Sequence, residues 1–437
     1  MTTTIRSGPA PGGAPRALPV ARALETLLRE PLPVRLTAYD GSAAGPADGP
    51  GLELRTERGL AYLLTAPGDL GFARAYVSGD LVLHGVHPGD PYPLLTRLMG
   101  RLAFRLPPGE ELVAALRSLG LQHLRPPEPP PIERPPRWRR TVAGVRHSMR
   151  RDARAIEHHY DVSNRFYELV LGPSMAYTCA VFPTEEASLE EAQAEKFDLV
   201  ARKLDLRPGQ RLLDVGCGWG GMVRHAAREY GVRALGVTLS RQQADWARAA
   251  IEADGLGHLA EVRHRDYRDV AETGFDAIAS IGLTEHIGVR RYPAYFSFLA
   301  ERLRPEGRLL NHCITRPTNR RRETGAFIDR YVFPDGELTG AGRIVSAAQD
   351  AGLEFLHGEN LRPHYAMTLR EWSRNLAGHW DECVAEVGEQ VARVWGLYLA
   401  GSRVGFERND VQLHHALLVR TGDDGSGGYP LRPTWMS

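Results

Sequence analysis

Short apolar runs alternate with amphipathic segments over the second half of the chain. The runs are rich in Leu, Val, Ile and Ala, and the segments between them carry apolar residues at helical spacing. The predicted strands are 211–215, 234–238, 260–263, 275–280 and 307–314, and the predicted helices are 222–230, 241–253 and 292–303. This alternation predicts an α/β fold with a doubly wound, Rossmann-like sheet, in which ligands bind at the carboxyl ends of the strands.

The first part of the chain lacks this alternation. Residues 1–18, rich in Thr, Gly, Ala and Pro, are predicted to be a disordered tail, and residues 19–124 to form a small α+β domain. A Pro/Arg-rich linker then covers 125–154, and the sheet-forming domain is predicted to occupy 155–437. The elements predicted for the small domain are helices at 21–29 and 91–104 and extended segments at 34–38, 52–55 and 60–64.

The linker joins a proline-dense spacer to a basic stretch at 134–154. Arg137, Trp138, Arg139 and Arg140 lie in this stretch and are the candidate membrane-contact residues. Clustered arginines beside a tryptophan suit anionic lipid headgroups, with each nearby cation contributing roughly 1 kcal/mol. A solvated linker is the other interpretation, and RNA binding is disfavoured because no RNA-binding motif follows.

Composition narrows the functional classes. A formal net charge of +1 argues against a globally basic nucleic-acid binder. The sequence contains no apolar run of about 18 residues and no apolar signal core near its start, which predicts a cytoplasmic protein. The four cysteines show no C-x-x-C spacing, so neither a disulfide nor a metal site is predicted.

A glycine loop follows the first strand of the alternating region. Asp214 ends the apolar run, and four glycines then occur within the six positions 216–221. Glycines allow sharp turns and close approach of a ligand, and the following helix presents free N–H groups. A dinucleotide site expects an acidic residue about 20 residues further on, but 238–243 contains none. The residues therefore favour S-adenosylmethionine (SAM), whose ammonium and sulfonium groups suit the acid before the loop.

Two polar residues stand out inside apolar surroundings. Glu285 follows the fourth predicted strand, and His312 lies on the fifth. A buried Glu or His is costly unless it has a partner. The two side chains could pair with each other, or they could frame an anion or a reacting proton. For either residue alone, a polar core residue with its hydrogen bonds satisfied is the favoured interpretation.

Further motifs give the chain a family resemblance. From about 155 to 420 it resembles the cyclopropane-fatty-acid synthase family of SAM-dependent methyltransferases. The motifs that carry the resemblance are 159–167, 177–180, 212–221, 236–240, Gln243, 266–268, 285–288 and 331–334. Within the family, 280–286, 310–317 and 401–406 resemble the actinobacterial branch that makes methylene-bearing fatty acyl phospholipids. More weakly, 19–124 resembles the N-terminal domain of the long family members, which is implicated in lipid engagement.

The resemblance also implies residue roles. The side chains of Glu285, His312 and Tyr365, with main chain at Cys179 and Ile314, would hold a bicarbonate ion. Ser402 stands where several family members have a cysteine once regarded as catalytic, which argues against covalent cysteine catalysis here. The residues expected to hold SAM are Tyr177, Thr178, Asp214, Gly216, Cys217, Gly218, Trp219, Gly220, Thr238, Leu239, Ser240, Gln243, Tyr267 and Arg268.

The implied reaction is methylation of the cis double bond of an unsaturated, oleoyl-type phospholipid. Methyl transfer to an isolated alkene leaves a carbocation, which bicarbonate would deprotonate. Proton loss from the new methyl closes a cyclopropane, whereas a preceding hydride shift yields a 10-methylene chain. The resemblance favours the methylene product, a precursor of a 10-methyl branch that a separate reductase would complete. It further implies a homodimer at the inner face of the membrane.

Two other functions remain open from the sequence. The glycine loop and the arginines also suit a nucleic-acid or small-molecule methyltransferase, although no Asn-Pro-Pro-Tyr-type motif for a flipped base is present. A non-catalytic lipid-binding protein with a relic SAM fold is the third hypothesis. The intact glycine loop, Glu285, His312 and Tyr365 argue against it.

Overall fold

The computed structural model describes residues 18–99, 105, 107–134, 163–320, 322–334, 336–433 and 435. These residues form two compact units. The first contains the described residues up to Val86 and those from Pro93 to Pro130, and the second contains His87–Tyr92 and the described residues from Pro131 onward.

The first unit contains both helices and strands. Its sheet has the order β2-β1-β3-β4, with β1 and β3 parallel and the other pairs antiparallel. Its elements are α1 Val20–Thr26, β1 Arg35–Ala38, β2 Ala43–Ala44, β3 Gly51–Leu54, α2 Glu57–Thr65, α3 Asp69–Val77, β4 Leu81–His84, α4 Tyr92–Leu98 and α5 Gly109–Leu119.

The extended segment predicted at 60–64 is wrong, since these residues lie within helix α2. The helix begins where the Thr56 side chain accepts a hydrogen bond from the N–H of Gly59 at 3.1 Å. Helix and strand cannot be told apart by periodicity in so short an apolar run. Thr56, a residue type that often caps helices, was the sequence feature that could have predicted the helix.

The second unit is built on a sheet with the order β12-β13-β9-β8-β5-β6-β7. Strands β9, β8, β5, β6 and β7 are parallel, and β13 lies antiparallel between β12 and β9. The strands are β5 Arg211–Val215, β6 Arg233–Thr238, β7 Ala260–His264, β8 Phe275–Ile281, β9 Leu303–Thr315, β12 Glu354–Asn360 and β13 Gln412–Val419, with a separate ribbon of β10 Arg322–Glu323 and β11 Glu337–Leu338.

Helices cover both faces of this sheet. Alternate residues of β5 enter different cores: Leu212 packs into one hydrophobic cluster, and Leu213 and Val215 pack into the other. Two buried faces are what a doubly wound sheet requires, and the predicted fold class is confirmed. The helices are α6 Asn164–Leu171, α7 Leu189–Leu204, α8 Gly221–Tyr230, α9 Arg241–Ala253, α10 Thr284–Ile287, α11 Tyr292–Arg302, α12 Ala341–Asp350, α13 Arg362–Gly378, α14 Trp380–Val387 and α15 Glu389–Glu407.

The five predicted strands all occur, and β9 begins four residues earlier than predicted. Strands β12 and β13 complete the sheet and were not predicted. Among the described residues, no helix is both long enough and apolar enough to span a membrane.

Candidate active site

The glycine loop closes onto the strand beside it. The N–H groups of Gly216 and Cys217 both donate to the carbonyl oxygen of Val237, at 2.9 and 3.0 Å. Gly216 and Gly220 have φ values of +78°, a left-handed conformation that favours glycine. A Cβ atom at Gly218 would meet nothing within 4 Å, so a ligand can approach the main chain there. The loop leads into α8, whose first turn has no side-chain cap.

A buried acid and a buried base lie beneath this loop. Asp214 on β5 is 2% exposed, and its Oδ1 has no hydrogen-bond partner among the described residues. Lys196 on α7 is fully buried and donates to Thr178 Oγ1 at 3.0 Å. Burial raises the pKa of Asp214 and lowers that of Lys196, and the attraction between the two charges opposes both shifts. Thr178 is therefore held by a cation that also faces the acid before the loop.

The residues at the start of α9 hold one another in place. Thr238 Oγ1 donates to Gln243 Oε1 at 2.8 Å and accepts from the N–H of Ser240 at 3.2 Å. Ser240 in turn caps the helix by accepting from the N–H of Gln243. The carbonyl of Leu239 contacts His264 Nε2 at 3.1 Å. All four predicted residues thus lie together at the carboxyl end of β6.

Tyr267 and Arg268 follow the carboxyl end of β7. The Arg268 guanidinium makes two hydrogen bonds to Asp266, at 2.8 and 2.6 Å, and lies 5.4 Å from the centroid of the Tyr267 ring. The Tyr267 ring packs edge-on against Tyr295. A bidentate ion pair fixes the direction of Arg268, so these residues are already ordered.

An aromatic cluster around Trp219 and Tyr177 lies next to the glycine loop. Trp219 is 3% exposed and donates from Nε1 to Asn164 Oδ1 at 2.9 Å. The Tyr177 hydroxyl donates to the Tyr398 hydroxyl at 3.2 Å. The rings that pack around Tyr177 are those of Tyr167, Phe333, Trp372 and Trp395.

Glu285 occupies a nearly water-free position on α10. Its Oε1 accepts a hydrogen bond from the N–H of Ile314 at 2.6 Å, while its buried Oε2 has no partner among the described residues. Burial raises the pKa of this carboxyl to about 7, although the Ile314 N–H favours the charged form. A carboxyl with this pKa can exchange a proton near neutral pH.

His312 on β9 presents a second unpartnered atom. Its Nδ1 lies 2.8 Å from His415 Nε2, and its buried Nε2 has no partner in the described part of the chain. Burial, assisted by the nearby charges of Lys196 and Lys203, holds the pKa of His312 well below its ordinary value. Glu285 and His312 therefore do not pair with each other: each uses another residue and keeps one polar atom without a partner.

Tyr365 and Cys179 reach the same region through the start of α13. The Leu361 carbonyl accepts from the N–H of Tyr365 at 3.2 Å and from the Cys179 thiol at 3.9 Å. Leu361 also donates its N–H to Leu413, which pairs with Ile314 across the sheet. Complete burial raises the pKa of the Cys179 thiol strongly, so this cysteine does not supply a thiolate.

Comparison with known proteins identifies the family. The family model described as mycolic acid cyclopropane synthetase matches residues 147–416. The chain belongs to this family.

Individual relatives agree with this assignment. A probable fatty acid methyltransferase of Mycobacterium tuberculosis is 63% identical, over 92% of this chain and 95% of the relative. The tuberculostearic acid methyltransferase of the same organism is 34% identical, over 90% of this chain and 88% of the relative. Among solved structures, mycolic acid cyclopropane synthase CmaA1 complexed with SAH and CTAB aligns with a TM-score of 0.58 and 32% identity, over 61% of this chain and 98% of the other. The chain is thus a SAM-dependent methyltransferase, as the sequence predicted.

Most of the predicted site residues lie at the carboxyl edge of one sheet in this member of the cyclopropane synthetase family. The residues expected to hold SAM lie at 177–178, on the glycine loop and at the carboxyl ends of β6 and β7. Of those expected to hold the anion, Glu285 follows β8, His312 and Ile314 lie on β9, and Tyr365 and Cys179 meet at the Leu361 carbonyl. One predicted anion-binding group already has a partner in the protein: the N–H of Ile314 donates a hydrogen bond to Glu285 Oε1. The candidate membrane-contact residues Arg137, Trp138, Arg139 and Arg140 lie outside the described residues. No cluster of metal-binding side chains occurs in the described ranges.

The sequence did not predict the buried residues that contact the site residues and hold them in place. Lys196 and Lys203 are the two lysines of the chain, which has 54 basic Lys and Arg residues in total. Both have fully buried side chains on α7. A lysine in a chain that otherwise uses arginine was the available cue, since an ammonium and a guanidinium are not interchangeable where the surroundings are specific. His415 lacked a cue of this kind.

Proposed function

We propose that this enzyme transfers the methyl group of SAM to the cis double bond of an unsaturated acyl chain in a membrane phospholipid. The observation that carries the proposal is the pair of buried, unpartnered atoms Glu285 Oε2 and His312 Nε2. They lie in a buried region, and Leu283, which directly precedes the helix of Glu285, lies next to Gly216 of the SAM loop. Methyl transfer to oxygen or nitrogen does not need such a region, because those nucleophiles carry lone pairs. The fatty acid methyltransferases among the relatives support the same substrate class.

The reaction needs two things from the protein, because an isolated alkene becomes a carbocation when it is methylated. The positive charge must be stabilised, and a proton must then be removed. The electron-rich faces of Tyr177, Phe333 and Tyr398 can attract a cation by roughly 0.5–2 kcal/mol each. The Glu285 carboxylate adds an electrostatic contribution that the low polarity of the site strengthens.

The two unpartnered atoms fit a bound bicarbonate ion. A carboxylate oxygen at Glu285 can accept the bicarbonate O–H, and a His312 Nε2–H can donate to one of its oxygens. Tyr365 and main chain at Cys179 complete the proposed site. Bicarbonate would supply a base small enough for a narrow apolar pocket. The protein residues hold and orient the ion and keep water from reaching the cation.

We propose a methylene-bearing chain as the product and a cyclopropane as the alternative. Both arise from the same cation and differ in whether a hydride shift precedes proton loss. A methylene product would need a separate reductase to become a methyl branch. The proposed location is the inner face of the membrane, with the basic stretch at 134–154 as the contact.

The test is incubation of the purified protein with SAM and vesicles of oleoyl phospholipid, followed by mass spectrometry of the acyl chains. The proposal predicts the gain of one CH₂ unit at the position of the double bond, and fragmentation separates methylene from cyclopropane. Stearoyl vesicles, which lack the double bond, are the matched control and should gain nothing. Methyl transfer to RNA without transfer to lipid would contradict the proposal.

A further inference from the structure

A continuous line of buried polar side chains runs away from His312. His312 and His415 are direct cross-strand neighbours on β9 and β13, and their rings are joined by the Nδ1–Nε2 contact at 2.8 Å. His415 Nδ1 then lies 3.0 Å from Lys203 Nζ. Lys203 also forms an ion pair with Glu359 on β12. Both histidines are 1% exposed and the lysine side chain is fully buried, whereas Glu359 reaches solvent.

The ammonium group of Lys203, at one end of this line, determines which ring nitrogen of each histidine carries the proton. An ammonium has donors only, so His415 Nδ1 must accept from Lys203. A neutral His415 then carries its proton on Nε2 and donates it to His312 Nδ1. A neutral His312 whose Nδ1 accepts carries its own proton on Nε2. Burial lowers the pKa of Lys203, and the ion pair with Glu359 opposes this shift and favours the charged form that starts this sequence of assignments.

Both histidines are neutral at physiological pH, which the argument requires. Burial and the positive charges of Lys203 and Lys196 hold the pKa of each ring well below its ordinary value. A second donor toward His415 Nδ1, or a charge on either ring, would break the assignment. In the described structure, the side-chain hydrogen bonds of His415 are those to Lys203 and His312.

We propose that His415, Lys203 and Glu359 are positioning residues that lock His312 in the Nε2–H tautomer, so that His312 donates a hydrogen bond to an anion beside Glu285. His312 is then a donor and not the base of the reaction. Proton removal is left to the bound anion, with Glu285 as the acceptor on its other side. The inference rests on the proposed anion site.

The test is nitrogen NMR of the protein labelled with ¹⁵N-histidine, without SAM or lipid, because the two ring nitrogens of a neutral histidine differ strongly between tautomers. The His312 signals are assigned from their loss in His312→Gln. Two variants form a matched pair. In His415→Gln the amide can accept from Lys203 and donate to His312, whereas His415→Leu has similar volume and can do neither. Circular dichroism and thermal unfolding check that each variant is folded.

The expected result is the Nε2–H tautomer at His312 in the unaltered protein and in His415→Gln, and mixed tautomers in His415→Leu. Bicarbonate binding, followed by calorimetry, should weaken about tenfold in His415→Leu and recover in His415→Gln, since one hydrogen bond contributes about 0.5–1.5 kcal/mol. An Nδ1–H tautomer in the unaltered protein would overturn the inference, even if His415→Leu does not fold. Equal weakening by the two variants would also overturn it.

These outcomes separate the inference from the proposed function. If oleoyl vesicles are not methylated but His312 carries its proton on Nε2 and bicarbonate binds, the lipid substrate is wrong and the positioning role stands. If vesicles are methylated and His312 carries its proton on Nδ1, the substrate stands and the positioning role is wrong.

Discussion

At the scale of single residues, the central feature is a carboxyl that is unfavourably buried. The pKa of Glu285 is about 7 in the folded protein, against 4.5 for the free side chain. A raised pKa means that its contribution to stability is intact below pH 4.5 and is lost as the pH rises through 7. At pH 8 the loss amounts to about 3 kcal/mol, from 1.36 kcal/mol per pKa unit. Keeping a costly group is typical of a residue retained for activity.

We therefore predict that Glu285→Gln stabilises the protein at high pH. The free energy of unfolding should exceed that of the unaltered protein by about 3 kcal/mol at pH 8, and this gain should shrink below about 1 kcal/mol at pH 5. Urea unfolding at the two pH values measures the difference. Turnover should fall at least about a hundredfold, the usual effect of losing a proton-handling group.

The control is Glu386→Gln, which removes an exposed carboxylate on α14. Its effect on stability should not change between pH 5 and pH 8. A gain for Glu285→Gln that is the same at both pH values would mean that Glu285 is not buried in an unfavourable charged state.

The sequence provided only some of these residues. Glu285, His312 and Tyr365 could be named because the family resemblance implies roles for them. The partners of Glu285 and His312 could not, because hydrogen bonding between Ile314 and Glu285, or between His415 and His312, depends on strand register. Residues 103 positions apart, such as His312 and His415, become neighbours only when β13 inserts beside β9.

At the scale of elements, the turn from β5 to α8 forms the centre of the proposed SAM site. Gly216 has a φ of +78°, and a Cβ there would lie 3.1 Å from the side chain of Leu283. Leu283 directly precedes the helix that carries Glu285. A substitution at Gly216 therefore strains the loop and presses on the element that carries Glu285.

We predict that Gly216→Ala weakens SAM binding at least tenfold and destabilises the fold by about 1–2 kcal/mol through its left-handed backbone. Isothermal titration with SAM measures the first effect and thermal unfolding the second. Gly255→Ala is the matched control, because Gly255 has a φ of +69° and open space around it. It should show similar backbone strain with unchanged SAM affinity, and equal affinity losses in both variants would contradict the assignment of the loop.

The elements themselves were predictable where their patterns are long or bounded by glycine. Strand β5 and the helices α8 and α9 follow their predicted limits closely. Strand β12 was missed because it is an edge strand without a buried side chain, so it lacks a hydrophobic pattern. Strand β13 has an apolar half, Ala416 to Val419, but its two histidines obscured the alternation.

At the scale of the whole molecule, the feature to test is the proposed membrane contact. The basic stretch at 134–154 predicts vesicle binding that weakens as salt is added, because salt screens exposed charges. Replacing Arg137, Arg139 and Arg140 by Gln should cost up to about 3 kcal/mol of binding to anionic vesicles. Cosedimentation at low and high salt measures this.

The matched control replaces three exposed arginines of the second unit, Arg233, Arg241 and Arg408, by Gln. This variant has the same net charge as the first. If the two variants bind vesicles equally well, binding depends on the overall charge of the protein, and the proposed role of the basic stretch is wrong.

The central claim is that an alkene is methylated and that the new methyl group then loses a proton. The most direct measurement uses SAM with a trideuterated methyl group, oleoyl phospholipid vesicles and mass spectrometry of the acyl chain. The account predicts that the product retains two of the three deuterium atoms, for a methylene and for a cyclopropane product alike. A product that retains all three deuterium atoms, or a lipid that gains none, would contradict it.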